Sequence, residues 1–125
     1  MTENQIATKI LDKAFEIHRT LGPGLLESVY ERALNYELQL ENIPVRCQVP
    51  VAFFYKEIMF EDGFRLDLLV GEKVVVEIKS VEKLHPVYYS QTLTYLKLTE
   101  KKLGLLINFN VKFLKDGIHR LANGL

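Results

Sequence analysis

The sequence contains no tryptophan and a single cysteine in 125 residues, and its acidic and basic side chains balance to a formal net charge of zero. One cysteine, Cys47, excludes an internal disulfide and a metal site built from several cysteines. The balanced charge argues against strong non-specific attraction to nucleic acid. The first residues do not resemble a secretory signal and no apolar run approaches the length of a membrane span, so we expect a cytoplasmic protein that does not bind membranes.

The composition is that of an ordinary globular domain, with 48% hydrophobic and 26% charged residues. The length is sufficient for one hydrophobic core, and no repeat, linker or low-complexity tract indicates a second domain, so we expect one domain over residues 1–125. The charges are unevenly distributed, because acids outnumber bases up to Asp62 and bases outnumber acids from Gly63 onward. This asymmetry indicates either a side that faces a polyanion or a set of solvated lysines.

Apolar residues at helical spacing predict two helices at the start of the chain, and runs of β-branched and aliphatic residues predict strands after them. Two glycines around Pro23 end the first helix, and Pro86 suits the first position of a third helix. The predicted elements are helices at 4–21 and 26–41, strands at 45–55, 58–70 (with a break near Asp62-Gly63) and 73–80, a helix at 86–102, a strand at 105–109, and a weaker strand at 118–122. The order ααβββαβ, with a further strand at the end, predicts an α/β fold.

Glu77 and Lys79 stand at the end of a segment, Val74–Lys79, that is otherwise apolar on both faces. This composition is typical of an interior strand, where charged residues are costly unless something compensates them. If this strand pairs antiparallel with the one before it, Asp67 and Glu77 converge, and alternation places Lys79 on the same face as Glu77. Two carboxylates beside a lysine are the groups that a divalent cation and a phosphodiester require. An ion-paired strand end with solvated charges would explain the same residues.

Five parts of the sequence, taken in order, resemble one protein family. They are Gly24–Tyr30, Arg65–Asp67, Glu77–Lys79, the pair Gln91 and Tyr95, and Leu103–Phe109. Together they resemble the GxxExxY protein family of the PD-(D/E)XK nuclease superfamily, over nearly the whole chain. One departure is that Leu66 stands where the wider superfamily has a proline. The resemblance implies a restriction-endonuclease-like core in which helices flank a central mixed sheet.

The resemblance also implies a metal site. Asp67 and Glu77 would bind Mg²⁺ or Mn²⁺, with the carbonyl of Ile78 as a further ligand. Glu27 matches the position of a helix glutamate that completes such sites, although a carboxylate in the first turn of a helix is also favoured by the helix dipole. Lys79 would hold the attacking water or stabilise charge that develops on the phosphate.

Four more residues are candidates around this site. Gln91 and Tyr95 share one helix face, and the resemblance implies that the glutamine orients the lysine and carboxylates or touches the substrate. Tyr30 and Tyr95 are candidate substrate contacts, and Tyr30 either hydrogen-bonds within the site or is a core aromatic with a solvated hydroxyl. His85 precedes a helix at the mouth of the site, where it would contact phosphate.

We therefore predict a metal-dependent nuclease that hydrolyses phosphodiester bonds in nucleic acid, with DNA favoured over RNA and a homodimer as an expected assembly. One alternative is a module on the same fold that binds a nucleic acid or a nucleotide with little or no turnover, which predicts metal-independent binding that survives Lys79→Ala. Another is a regulatory or interaction domain whose acidic first half docks a partner protein.

Overall fold

The computed structural model describes all 125 residues and contains the predicted elements in the predicted order. The elements are α1 Glu3–Leu21, α2 Glu27–Leu40, β1 Val45–Tyr55, β2 Ile58–Val70, β3 Val74–Lys79, α3 Pro86–Thr99, β4 Leu103–Asn108, a 3₁₀ turn Leu114–Gly117, and β5 Ile118–Ala122. Strand β2 is continuous, so the break predicted near Asp62-Gly63 is wrong, but its pairing is irregular at that position. Between the pairs Val51–Phe64 and Phe53–Phe60, residues 61–63 of β2 oppose one residue of β1, which is a bulge in the ladder. Helix α3 ends earlier than predicted, because Glu100 adopts a left-handed conformation.

The five strands form one sheet in the order β1-β2-β3-β4-β5. Strands β3 and β4 are parallel and every other neighbouring pair is antiparallel, so the sheet is mixed as predicted. Helix α3 connects β3 to β4, and a parallel connection of this kind requires a crossover element. Strand β3 therefore lies in the middle of the sheet, and only its last residue, Lys79, is more than marginally exposed.

Helices cover both faces of the sheet. Helices α1 and α2 pack on one face, where Val74, Val76 and Ile78 of β3 join the larger core. Helix α3 packs on the other face, where Leu96 contacts a smaller cluster that includes Val75. Burying a side chain of this size contributes about 1.5–3 kcal/mol relative to leaving it exposed. Alternation along β3 thus assigns Glu77 and Lys79 to the face that α3 covers.

The turn between α1 and α2 places the start of α2 beside the end of β3. Helix α1 ends at Gly22, whose φ of 72° lies in the region that glycine adopts without strain. The following loop is held to the sheet by Ser80, whose hydroxyl donates a hydrogen bond of 2.6 Å to the carbonyl of Leu25. Glu27 consequently opens α2 at the carboxyl end of β3. None of the helices has the length and apolar character that crossing a membrane requires.

Candidate functional site

Asp67 and Glu77 meet where β2 and β3 separate. Backbone pairing between these strands extends only as far as Leu68 and Val76. Beyond that pair, the amide of Asp67 donates to Oε2 of Glu77 at 2.9 Å, and the amide of Ile78 donates to Oδ2 of Asp67 at 2.8 Å. The two carboxylates therefore replace the backbone hydrogen bonds of the missing rungs, and the structure brings them together as the strand pattern predicted.

The adjoining strand is also distorted at this point. Gln48 lies in β1 between two residues that pair with β2, opposite Asp67, and has a φ of 49°. This conformation is unfavourable for a residue other than glycine by about 1–2 kcal/mol, and such residues cluster at functional sites. Its side-chain amide donates to Oε1 of Glu31 at 2.8 Å and to Oδ1 of Asp67 at 3.4 Å. Gln48 thereby connects α2 to the carboxylate of Asp67.

A small cavity lies between α2 and these strands. Its volume is about 230 Å³, and its lining residues are Glu27, Ser28, Glu31, Gln48, Asp67 and Ile78. Glu27 accepts a hydrogen bond of 3.3 Å from the amide of Ser80, at the end of β3. The cavity thus joins the predicted Glu27 and Asp67 to two residues that the sequence analysis missed, Glu31 and Gln48. Glu31 stands four residues after Glu27, a spacing that places both on one helix face and was visible in the sequence.

Four acidic side chains, those of Glu27, Glu31, Asp67 and Glu77, gather at this site, and none of them is ion-paired with a cation. Burial, and after it the neighbouring charge of Asp67, raises the pKa of Glu77 to about 8, although the hydrogen bond from the Asp67 amide and the charge of Lys79 each lower this pKa by a smaller amount. Burial also raises the pKa of Glu31, with smaller contributions from Asp67 and Glu27. A divalent cation would relieve this excess charge.

The donor set suits a hard cation, although it is not a closed cage. No three of the acidic side chains converge closely enough to hold one ion together, so Glu27 does not join Asp67 and Glu77 in this conformation. Mg²⁺ commonly binds through one or two carboxylates and keeps several waters or substrate oxygens. Because the N–H and C=O of a strand residue point to the same neighbouring strand, the carbonyl of Ile78 faces the side where its amide meets Asp67.

Lys79 lies at the carboxyl end of β3 and is half-buried. Its Nζ atom lies 4.6 Å from the centroid of the Tyr88 ring, and it forms no ion pair. The ring of His85 meets the edge of the same tyrosine at a centroid distance of 6.0 Å. His85 is exposed at the start of α3. Lys79 and His85 therefore both lie next to the ring of Tyr88, and the histidine is the more exposed of the two.

Helix α3 contributes Tyr95 to the surroundings of the carboxylates. The ring of Tyr95 stacks on Phe64 with centroids 4.2 Å apart. Its pKa is raised by partial burial and by the negative charges of Glu77 and Asp67, which lie close enough to affect it. Gln91 is exposed one turn earlier on the same helix face and forms no hydrogen bond with the lysine or with a carboxylate. The orienting contact expected of Gln91 is therefore not formed in this structure.

Tyr30 does not line the site, which corrects the expectation of a substrate contact. The side chain is completely buried and stacks on Phe109 with ring centroids 4.4 Å apart. Its hydroxyl donates to the carbonyl of Gly22 at 2.6 Å and accepts from the amide of Leu25 at 3.1 Å. Tyr30 is therefore the core aromatic of the second alternative. Its hydroxyl, however, is hydrogen-bonded to backbone groups of the loop between α1 and α2 and not to solvent.

We expect Tyr30→Phe to lower the free energy of unfolding by about 1–2 kcal/mol, because the loop carbonyl and amide lose their common partner. Urea denaturation followed by circular dichroism would measure this loss. Tyr36→Phe is the matched control, since Tyr36 lies on the same helix, is 63% exposed and has no side-chain hydrogen bond. Equal midpoints for the two variants would contradict the role assigned to the Tyr30 hydroxyl.

A protein-family model described as the PD-(D/E)XK nuclease superfamily matches residues 4–121. The match includes all of α2, every strand from β1 to β4, and each residue of the candidate site. Searches of the curated proteins and of the solved structures gave no significant match. The five-stranded mixed sheet with helices on both faces agrees with a restriction-endonuclease-like fold.

Proposed function

The chain belongs to the PD-(D/E)XK nuclease superfamily, and from this premise we propose that it is a metal-dependent nuclease that cleaves phosphodiester bonds in nucleic acid. Within the superfamily, the segment Gly24–Tyr30 favours the GxxExxY family. The observation that supports the proposal best is that the carboxylates of Asp67 and Glu77 each accept a backbone hydrogen bond from the other strand where β2 and β3 separate. Lys79 follows Glu77 by two residues. Such an arrangement leaves carboxylate oxygens and a lysine at the carboxyl end of the central strand of the sheet.

Asp67, Glu77 and the carbonyl of Ile78 are the groups that would hold Mg²⁺ or Mn²⁺, with Glu27 as the further ligand that the family motif implies. When bound, the ion supplies a Lewis acid that lowers the pKa of a water and stabilises charge on phosphate oxygens. The raised pKa of Glu77 means that cation and proton compete for this carboxylate near neutral pH.

The remaining residues would position the substrate and the water. Lys79 supplies positive charge on the same sheet face as Glu77, where it would orient the attacking water or stabilise the developing charge. The face of Tyr88 holds the ammonium group close to the site. Tyr95 and Gln91 would bound the site on the α3 side, and His85 would contact phosphate at its solvent-exposed mouth.

Metal binding gives the first test. In calorimetry with Mn²⁺, we expect the wild type to bind and the Asp67→Ala/Glu77→Ala variant to lose binding, because both charged ligands are removed. The control variant is Glu57→Ala/Glu61→Ala, which removes two exposed acids from the β1–β2 hairpin, away from the site.

Thermal melts of all three proteins would establish that the variants are folded. Binding that persists in the folded Asp67→Ala/Glu77→Ala variant would contradict the metal site. The proposal would also fail if the wild type bound no Mn²⁺ either alone or with a non-cleavable phosphorothioate oligonucleotide present.

A second candidate function is nucleic-acid binding with little turnover. The observation that favours it is the incomplete convergence of the carboxylates, together with the absence of a contact between Gln91 and Lys79. This function predicts oligonucleotide binding that needs no metal and survives Lys79→Ala. Comparing DNA with RNA oligonucleotides in the same assay would test our preference for DNA.

A homodimer stays a prediction, and the tip of the β1–β2 hairpin is the surface that suits it. The tip exposes five large apolar side chains, Phe54, Tyr55, Ile58, Met59 and Phe60. Contiguous exposed apolar side chains of this kind are typical of interaction surfaces. A solution mass near 14.5 kDa, that of one chain, would contradict the dimer.

A further inference from the structure

A second, oppositely charged surface lies beside the end of α1. Arg19 in the last turn of α1 and Lys112 and Lys115 between β4 and β5 line one concave pocket with a volume of about 560 Å³. All three side chains are exposed. We call Arg19, Lys112 and Lys115 the basic pocket. These residues play no part in the carboxylate site described above.

The basic pocket is built on a fixed loop. His18 is 9% exposed, and its Nε2 atom lies 2.8 Å from the carbonyl of Val111, which ties α1 to the loop after β4. Leu114 anchors the other end of the loop in the core. Gly117 packs so closely on the backbone carbonyl of Asn108 that a Cβ atom would overlap it. The backbone that carries Lys112 and Lys115 is therefore fixed against the end of α1, which carries Arg19.

The charges of the basic pocket are not neutralised within the chain. None of the three cations takes part in an ion pair. The nearest acids in sequence are Glu16, which pairs with Lys13, and Asp116, which pairs with none of them. Like charges gathered in a concave surface repel one another and concentrate positive potential, which attracts anions.

The basic pocket lies at the same end of the sheet as the candidate site, where β3 and β4 finish. Strands β3 and β4 are parallel, so Lys79 at the end of β3 pairs with Asn108 at the end of β4, and Lys112 follows shortly after it. On the other side, α1 runs from Arg19 into the loop that leads to Glu27. A polyanion lying across this end of the sheet would contact both the basic pocket and the carboxylate site.

We propose that the basic pocket binds backbone phosphates of the nucleic acid whose scissile bond lies at the carboxylate site. This inference rests on the proposed function and adds the surface that holds the substrate. The guanidinium of Arg19 is suited to bidentate contact with a phosphate, and Lys112 and Lys115 act as point charges that follow the strand. The proposal also explains how a chain with no net charge would bind a polyanion, since these positive charges are concentrated at one end of the sheet.

The test compares two variants that remove equal charge. The first is Arg19→Ala/Lys112→Ala/Lys115→Ala. The control is Lys56→Ala/Lys97→Ala/Lys102→Ala, three exposed cations without ion pairs on the hairpin tip, on α3 and before β4. Fluorescence anisotropy with labelled, non-cleavable 20-nucleotide phosphorothioate DNA and RNA, in the presence of Mn²⁺, would give Kd at several salt concentrations.

For the basic-pocket variant, we expect Kd to rise at least tenfold and the slope of log K against log salt to fall by about 2–3, as lost phosphate contacts require. The control should change Kd by less than about twofold, since its cations do not face the polyanion. Equal losses in both variants, or no loss in the first, would overturn the inference while leaving the nuclease proposal intact.

If the wild type bound neither DNA nor RNA, both proposals would fail together. Thermal melts would show that the variants are folded. Lys115→Glu gives a second, single-site measure, because reversing one exposed charge of the pocket should weaken binding further than neutralising it. An unchanged Kd for Lys115→Glu would also contradict the assignment.

Discussion

Replacing Lys79 with alanine is expected to lower the rate of metal-dependent cleavage by about 10²–10³-fold, the usual loss when one group that stabilises transition-state charge is removed. Metal binding should persist, because the carboxylates of Asp67 and Glu77 are retained and Lys79 forms no ion pair with either. The side chain packs over Tyr88 at the end of a strand and does not hold the core together. A selective loss of turnover is therefore the result that distinguishes a chemical role for this lysine from a structural one.

Single-turnover rates on an oligonucleotide that the wild type cleaves would measure this effect, with Mn²⁺ calorimetry and oligonucleotide anisotropy in parallel. Lys102→Ala is the matched control, since Lys102 is exposed at the opposite end of the sheet. Cleavage by Lys79→Ala at the wild-type rate would sink the assignment. A protein that binds nucleic acid without metal, with no cleavage to lose, would instead favour the binding module.

The pairing of Asp67 with Glu77 was predictable because it depends on short-range rules. A short turn between two apolar strands predicts an antiparallel pair, and the register of such a pair follows from the turn. Once the register is set, two acidic residues ten positions apart must lie near the same rung. Lys79 follows from alternation along the same strand.

The contribution of Gln48 was not predictable, because its left-handed backbone conformation occurs within a strand whose pairing with β2 continues on both sides of it, and it leaves no mark in the sequence. Tyr30 could be placed on a helix from the sequence, but the helical spacing fits both a position in the core and a position in the site. Its orientation is set by Phe109, which lies far along the chain and stacks on its ring. Contacts between distant segments decide such positions, and a single sequence does not encode them in any local pattern.

Glu77→Gln is expected to stabilise the metal-free protein at high pH, because the wild-type site buries a carboxylate beside another carboxylate. The pKa of Glu77 is about 8 in the folded protein, against an ordinary value of 4.5. Between these values the folded protein keeps a proton that the unfolded chain has lost, so the free energy of unfolding falls as pH rises from about 4.5 to 8 and is flat above. One pKa unit corresponds to about 1.4 kcal/mol, which gives an expected gain for the variant on the order of 1–4 kcal/mol at pH 9.

Urea unfolding in EDTA at pH 5 and pH 9 would measure this effect. Wild type and Glu77→Gln should differ little at pH 5, where the carboxyl is protonated, and the variant should be more stable at pH 9. Other groups titrate in both proteins, so the difference between them isolates Glu77. Glu57→Gln, an exposed residue of the hairpin, should show no such change.

Identical pH dependence in the wild type and Glu77→Gln would show that the buried charge is compensated in solution. If instead the expected difference is found, adding Mg²⁺ at pH 8 should stabilise the wild type and have little effect on the variant, since a ligand that binds only the folded state raises its stability. Stability lost through the buried charge and regained with the cation would mean that the carboxylate is kept in this strand for binding. If only folding mattered at this position, glutamine would be preferred to glutamate, because glutamine fits the same space without the charge.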